Sequence, residues 1–535
     1  MDRRHILIRG AAFGALAFGA PLSARFACAQ SREETLRVLT DSIPNSQDPQ
    51  GVGVSRASLA VFANVYDRLI NFGRREVKPG LYRYDYSRFE GELAESWEEL
   101  DDGRTLVFHL RKGATFHDGS PVTAEDVRWS LARGVSLPAS KNQLATGSIK
   151  EASQFTVIDP QTIRLTFERK DRLTLPNLAL SSAAVLNSTL AKQHATPTDP
   201  WATEWVRNNA AGGGAYKIET WNPSQQVVYA AFEDWKSGSR PFIRRAIVQV
   251  APSAETRVAT LLKGDADIAL QLPARDIDAL AKDKRADVIS LPVTNAFRFI
   301  AFNSKAKPFD DVRVRQAIAY ALPYRDLLQA SVAGHAQPLF GAASATPKEA
   351  TFPQAYPYDT DLDKAKKLLN DAGLSEGFET SFSYNVSDST LADPIGPLVQ
   401  ESLARIGVKV TIDKLPEAQW GAALTARKVA FYTDNSSAWF ADPDYFFRIF
   451  FQGDWRWNFG NFDDPELNAL VNAARWERDP SKYDEAIRKA IAIAFDKVPL
   501  LPLWLPSYEA ALRPGLTDFT YYIHGQVDFR SLKRS

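Results

Sequence analysis

One stretch, residues 378–412, restricts this chain to few folds. Phe378, Thr380, Phe382 and Tyr384 alternate with a period of two, which predicts a strand. Pro397 to Ile406 carries its apolar residues at helical spacing and stops at Gly407, a residue suited to a helix C-terminus. Val408, Val410 and Ile412 then alternate again. Strand, helix and strand at these lengths form a βαβ unit, and its parallel strands require an α/β lobe. At 535 residues the chain exceeds what one core fills, because single cores stop growing near ~250–300 residues. Two or more lobes are therefore expected.

The N-terminus reads as an address. Arg3 and Arg4 precede an apolar, small-residue run from Ala11 to Ala20, and Ala27-Cys28-Ala29 supplies an A-x-A cleavage site. The paired arginines resemble a twin-arginine export signal, with an ordinary Sec signal as the alternative. Arg25 and Phe26 stand where a lipoprotein signal has small or apolar residues, which argues against acylation of Cys28. Cleavage after Ala29 removes four arginines and one aspartate from a balanced 64 and 64, leaving a net charge of −3. It also removes the only cysteine, so disulfides and thiol chemistry are not expected. The rest of the chain has no basic cluster to suggest nucleic acid and no later apolar run long enough to span a membrane. A periplasmic protein is expected.

Other elements follow from pattern. Thr35 to Leu39 reads as a first strand. Ser55 to Phe72 has helical spacing (Leu59, Phe62, Val65, Tyr66, Leu69) and predicts one helix ending near Gly73. Thr105 to Leu110 alternates as a strand after the Asp101-Asp102-Gly103 turn. Thr123, with Asp126 three residues on, predicts a capping box opening a helix that contains Trp129 and Leu131. Thr256 to Asp267 predicts a helix ending at Gly264, Asp361 to Ala372 one ending at Gly373, and Asp484 to Phe495 a third. Pro323 should end early the helix that carries Ala317, Ile318, Ala321 and Leu322.

The most chemically loaded segment is Val429 to Phe451. It starts as an apolar strand and breaks into a predicted polar loop, Asp434 to Ser437. Trp439-Phe440-Ala441-Asp442-Pro443-Asp444 and the aromatic run Tyr445 to Phe447 follow. Two carboxylates among rings suit a cationic or amphipathic ligand, because the rings exclude water from a charge-assisted hydrogen bond. The plainer alternative is a turn into a core helix with Asp444 as its N-cap.

The segment LAESWEELDDGRTLVFHLRKGATFHDGSPVTAEDVRWSL, residues 93–131, closely resembles the signature of the family 5 extracellular solute-binding proteins of ABC importers, the dipeptide- and oligopeptide-binding group. The resemblance continues in Gly212-Gly213-Gly214-Ala215-Tyr216-Lys217, with Ala215 where the family has proline, in Asp234-Trp235, and in Pro308 to Ala317. No Lys-Ser or Lys-Thr follows the glycines, so a phosphate loop is not indicated. The likeness spans roughly residues 35 to 530. It implies a two-lobed periplasmic binding protein of type II, cluster C-like, with a ligand cleft between the lobes and an extra subdomain in the first. The boundaries it implies are 1–29 signal peptide, 30–75 and 200–297 first lobe, 76–199 extra subdomain, 298–506 second lobe, and 507–535 the return to the first lobe, with Pro499 to Trp504 beginning the crossing.

The same resemblance implies a monomer that delivers a small-molecule or short-peptide ligand to an inner-membrane permease and ATPase complex. In peptide-binding members an aspartate after a Trp-x-x motif holds the ligand ammonium, which Trp439-Phe440-Ala441-Asp442 matches. Members usually have about three more residues before the next Asp-Pro, whereas Pro443 follows Asp442 at once. Asp442 is thus either the ammonium partner or the later, structural aspartate with the binding one deleted. Trp439 is a candidate to stack on the ligand, and Arg456 and Trp457 to meet a ligand carboxylate. Alternative ligands are an opine, a glycoside or a metal chelate. No histidine lies three or four residues from another, so no metal site is indicated and no cofactor is expected; no G-x-S-x-G elbow occurs, which leaves an exported hydrolase as the lesser alternative to a binding protein.

Overall fold

The computed structural model describes residues 32–453, 455, 457–521 and 527–535. The expected signal peptide, Arg456 and His524 lie outside the described residues.

Thr35–Thr40 is a strand that buries Leu36 and Val38. It pairs in parallel with Arg245–Val250 on one side and Ile268–Leu270 on the other. Gln226–Ala231 and Tyr216–Asn222 extend this first lobe antiparallel. In the second lobe Glu379–Asn385 and Lys409–Leu415 are parallel, with the helix Ile395–Ala404 between them, which is the βαβ unit expected from the sequence. Phe431–Ser437 runs parallel to Glu379–Asn385, and Ala296–Phe302 runs antiparallel to Phe431–Ser437.

A single long strand, Leu500–Leu512, joins the lobes. Its first part pairs with Ala296–Phe302, and its second part pairs with Ile268–Leu270 and Asp287–Pro292. The strands of both lobes therefore belong to one continuous sheet. Register fixes where the lobes face each other. Thr40 and Leu270 end first-lobe strands near the crossing, and Ser437 ends a second-lobe strand opposite Ala296, at the same crossing. The C-terminal strand ends of both lobes thus converge on one cleft, the usual ligand position in open α/β sheets. A separate antiparallel sheet, built from Ala94–Leu100, Thr105–Leu110, Phe155–Asp159 and Thr162–Thr166, carries the helices Ala124–Ser136 and Pro138–Ala145 beside that cleft.

Local signals explain most boundaries. Asp126 accepts from the backbone N–H of Thr123 at 3.0 Å and from its hydroxyl at 2.7 Å, completing the capping geometry. Gly264 sits at φ 84 and ends Ala254–Lys263. Pro323 separates Val312–Ala321 from a new helix, Tyr324–Val332.

Two expectations fail. The helix predicted to run to Phe72 is Ser58–Val65; Tyr66 is extended, and Ile70–Lys78 pairs with Leu81–Gly91. The apolar spacing misleads because helix, connection and strand are all buried here, so burial carries no single period. The predicted loop Asp434 to Ser437 stays in the strand Phe431–Ser437, since Ala296 to Phe299 supply backbone partners all along it. Its polar side chains reflect its position at the cleft, while its backbone is paired along the edge that faces Ala296–Phe302.

The glycine turn at residues 212–214 packs directly on the end of the first helix. A Cβ on Gly214 would lie 2.6 Å from the Val65 carbonyl carbon and 2.7 Å from the Tyr66 nitrogen. Gly214→Ala is expected to cost about 1–3 kcal/mol through forced backbone shifts, read as a lower urea midpoint. Gly213→Ala, whose Cβ would come no closer than 3.1 Å to a neighbour, should cost less.

Candidate functional site

A cavity of about 610 Å³ opens between the helix Pro138–Ala145 and the second lobe. On the first-lobe side it is lined by Asn142, Gln143 and Thr146. On the other side stand Asn435, Ser436 and Ser437, brought there by the end of Phe431–Ser437. Rings of Trp439, Tyr445, Phe450, Trp455 and Trp457 complete the wall. Among the described residues the polar lining is thus amide and hydroxyl, set between aromatic faces. Such a wall accepts and donates hydrogen bonds without demanding a ligand charge.

The lobes touch beside this cavity. Tyr445 Oη donates to Gln143 Oε1 at 2.9 Å, and Arg448 Nη1 donates to the Thr146 carbonyl at 3.1 Å. Farther out, Arg475 pairs with the buried Asp171 at 2.7 Å, and the Arg172 guanidinium lies 3.6 Å from the centre of the Tyr483 ring. Phe440 meets Tyr86 edge-on at 5.8 Å between ring centres.

The two acids of the sequence motif have separate places. Asp442 is the N-cap of Pro443–Phe450: it accepts from the Asp444 N–H at 2.9 Å and from the Tyr445 N–H at 3.4 Å. Pro443 fills the first helical position, which needs no donor. Tyr483 Oη also lies 3.4 Å from the same Asp442 oxygen. Asp442 does not line the cavity. Asp444, the cap anticipated in the plainer reading, lies two residues further on, within the first turn of the helix. It is fully buried and pairs with Arg448 at 2.8 Å. Burial pushes its carboxyl up to about 6, against the pull of the Arg448 guanidinium.

Trp439 and Trp457 both line the cavity; Trp457 remains 46 % exposed. Four residues were missed. Arg298 lies fully buried in Ala296–Phe302, donates to Thr433 Oγ1 at 3.0 Å and pairs with Asp388. Asn435 Nδ2 donates to that carboxylate at 3.2 Å, which orients a cavity residue. An arginine within an apolar strand run was a visible signal for it. Gln143 and Thr146 form the opposite wall, and nothing in their local sequence marks them. Burial pushes the Asp434 carboxyl up to about 6. His117, buried against the Gly214 carbonyl at 2.9 Å, is pushed down to about 4.

The geometry has clear relatives. Residues 88–458 match the profile of the bacterial extracellular solute-binding proteins, family 5. The chain belongs to this family. This family 5 protein is 26% identical over 530 residues to the dipeptide-binding protein of Escherichia coli K12, covering 91% of this chain and 92% of that one. It is 28% identical over 496 residues to heme-binding protein A of Haemophilus influenzae, covering 85% and 84%. Among solved structures, the periplasmic binding protein AgaA of A. tumefaciens R10, in complex with agropinic acid, superposes with a TM-score of 0.75 at 26% identity, covering 94% of this chain and 99% of that one. The two-lobed type II fold of this solute-binding protein is shared with these neighbours. Their named ligands differ widely, so family membership leaves the ligand to the residues of the cleft.

Proposed function

We propose that this family 5 protein is the solute-binding component of an ABC importer and captures a peptide-like solute between its lobes. The reading rests on the 610 Å³ cavity, whose amides and hydroxyls match the N–H and C=O groups of a short peptide backbone. Trp439 and Trp457 are read as surfaces for ligand side chains. A ligand touching both Gln143 and Asn435 binds the closed arrangement better than an open one, and that difference drives closure. The permease then distinguishes loaded from empty protein, and ATP acts on the partner complex. We read the lobes as residues 30–297 with 507–535, and 298–506, in an exported monomer with a binding role and no catalysis.

Asp442 is read as the structural aspartate of the motif, because its Oδ1 already serves the helix N-terminus. Asp442→Asn keeps a capping oxygen, so it should leave both stability and dipeptide affinity nearly unchanged. Thermal shift against dipeptides checks this: a dipeptide at 100 times its dissociation constant adds roughly 2.7 kcal/mol. Loss of that shift in Asp442→Asn would return Asp442 to the ammonium role. Mass spectrometry of the compound carried by protein purified from its native periplasm tests the ligand class. A peptide or amide-bearing compound supports the reading, and an opine, glycoside or metal chelate replaces it.

A further inference from the structure

A second cavity, of about 250 Å³, opens in the first lobe between the sheet and the start of the helix Ser58–Val65. It sits at the C-terminal ends of Thr35–Thr40 and Ile268–Leu270, the strand ends that face the interlobe cleft. Its inner walls are apolar: Val38, Val248 and Leu270 from the sheet, with the rings of Tyr508 and Phe529. Its rim holds Arg56, Ser42 and Gln271.

Gln271 is held in an unusual way. Its φ is 49, in the left-handed region that a residue with a side chain occupies at a cost of order 1–3 kcal/mol. The buried Arg257 donates to its carbonyl at 2.7 Å and anchors that backbone. The Thr40 hydroxyl lies 2.9 Å from Gln271 Oε1 and 3.0 Å from the Ser42 carbonyl, two acceptors for its one proton. When Thr40 donates to the amide oxygen, Nε2 is the free end of the side chain, with no acceptor among the described residues. The Arg56 guanidinium and the Ser42 hydroxyl likewise have none, and all three residues are exposed at the cavity rim. Three donors, one of them a cation, thus border a single apolar-walled cavity, and one of them is held there by a strained backbone.

We propose that Arg56 and Gln271 form a carboxylate-binding subsite of the first lobe, with the apolar cavity taking the side chain next to that carboxylate. A planar guanidinium fork at the rim matches a carboxylate, and the apolar walls inside suit the adjoining side chain. The proposal rests on the interlobe-capture reading, since the subsite works only if the bound solute spans the cleft to the first lobe.

The test compares leucine- and phenylalanine-terminated dipeptides with the same dipeptides as C-terminal amides, by calorimetry on the native protein and on Arg56→Gln and Gln271→Leu. The acids should bind at least tenfold more tightly than the amides to the native protein, and Arg56→Gln should abolish that preference. Equal affinity for acids and amides, unaltered by Arg56→Gln, overturns the subsite and leaves the peptide reading standing. If neither series binds, the peptide reading falls, and methyl esterification of the compound released from natively purified protein decides the subsite. A compound that gains methyl mass and binds Arg56→Gln at least tenfold more weakly supports it; a compound without a carboxylate overturns it.

Discussion

Arg133→Leu is expected to lower the unfolding free energy by about 3–5 kcal/mol, the cost of removing one partner from a buried ion pair. Arg133 and Asp48 are 0% and 1% exposed. The guanidinium donates from both terminal nitrogens to the Asp48 carboxylate, at 2.9 and 2.6 Å, and from Nε to the Trp201 carbonyl at 3.0 Å. It also donates to Gln50 Oε1 at 2.9 Å, and the Gln50 amide in turn reaches the Ser130 and Ser182 carbonyls. This network clamps the loop after the first strand onto the helix Ala124–Ser136. Leucine fills part of the space but leaves Asp48 charged and unpaired in a dry site. Urea titration of both proteins measures the loss as a lower midpoint at similar slope. Replacing Asp48 and Arg133 together by leucine should recover much of it, because two apolar side chains leave no buried charge. A single-variant cost below about 1 kcal/mol would contradict the burial argument.

Arg448→Met is expected to destabilise by a similar amount, about 3–5 kcal/mol near neutral pH, and by less in acid. Arg448 and Asp444 are 2% and 0% exposed, one turn apart on the cleft helix. Burial already holds the Asp444 carboxyl up at about 6, and the Asp442 and Asp171 carboxylates push the same way. Methionine removes the opposing guanidinium, so the folded carboxyl should rise further above its unfolded value near 4. The folded state then binds more protons than the unfolded state across that window, so stability falls as pH rises through it. Thermal melts of native protein and variant at pH 5 and pH 8 should show the larger gap at pH 8. An equal gap would exclude Asp444 as the group responsible. Arg448 also donates across the lobes to the Thr146 carbonyl, so the variant should close on its solute less tightly as well.

How much was legible depends on the range of the interactions. The capping box at Thr123 and Asp126, the stop at Gly264 and the βαβ unit of the second lobe were all readable, because each is decided within a few residues by dihedral preference or side-chain period. The end of the first helix was not readable. Tyr66 leaves the helix because its hydroxyl bonds the Gln47 carbonyl at 2.8 Å and the Gly214 N–H donates to the Val65 carbonyl at 2.9 Å, partners remote in sequence. The acids of the aromatic motif were conspicuous in the sequence, yet residue types alone could not distinguish a capping aspartate from a ligand-binding one.

By itself, then, the sequence determined the α/β class and the family, since these rest on local periods and on a long specific pattern. Only the tertiary structure decided which side chains face which. Gln143 and Thr146 meet Asn435 and Tyr445 across nearly three hundred residues. Asp442 is committed to a helix cap. Arg56 and Gln271 share a rim although they lie more than two hundred residues apart. The physical reason is that the cavity wall forms where strand ends from separate lobes converge, and that convergence is set by the register of one shared strand, Leu500–Leu512.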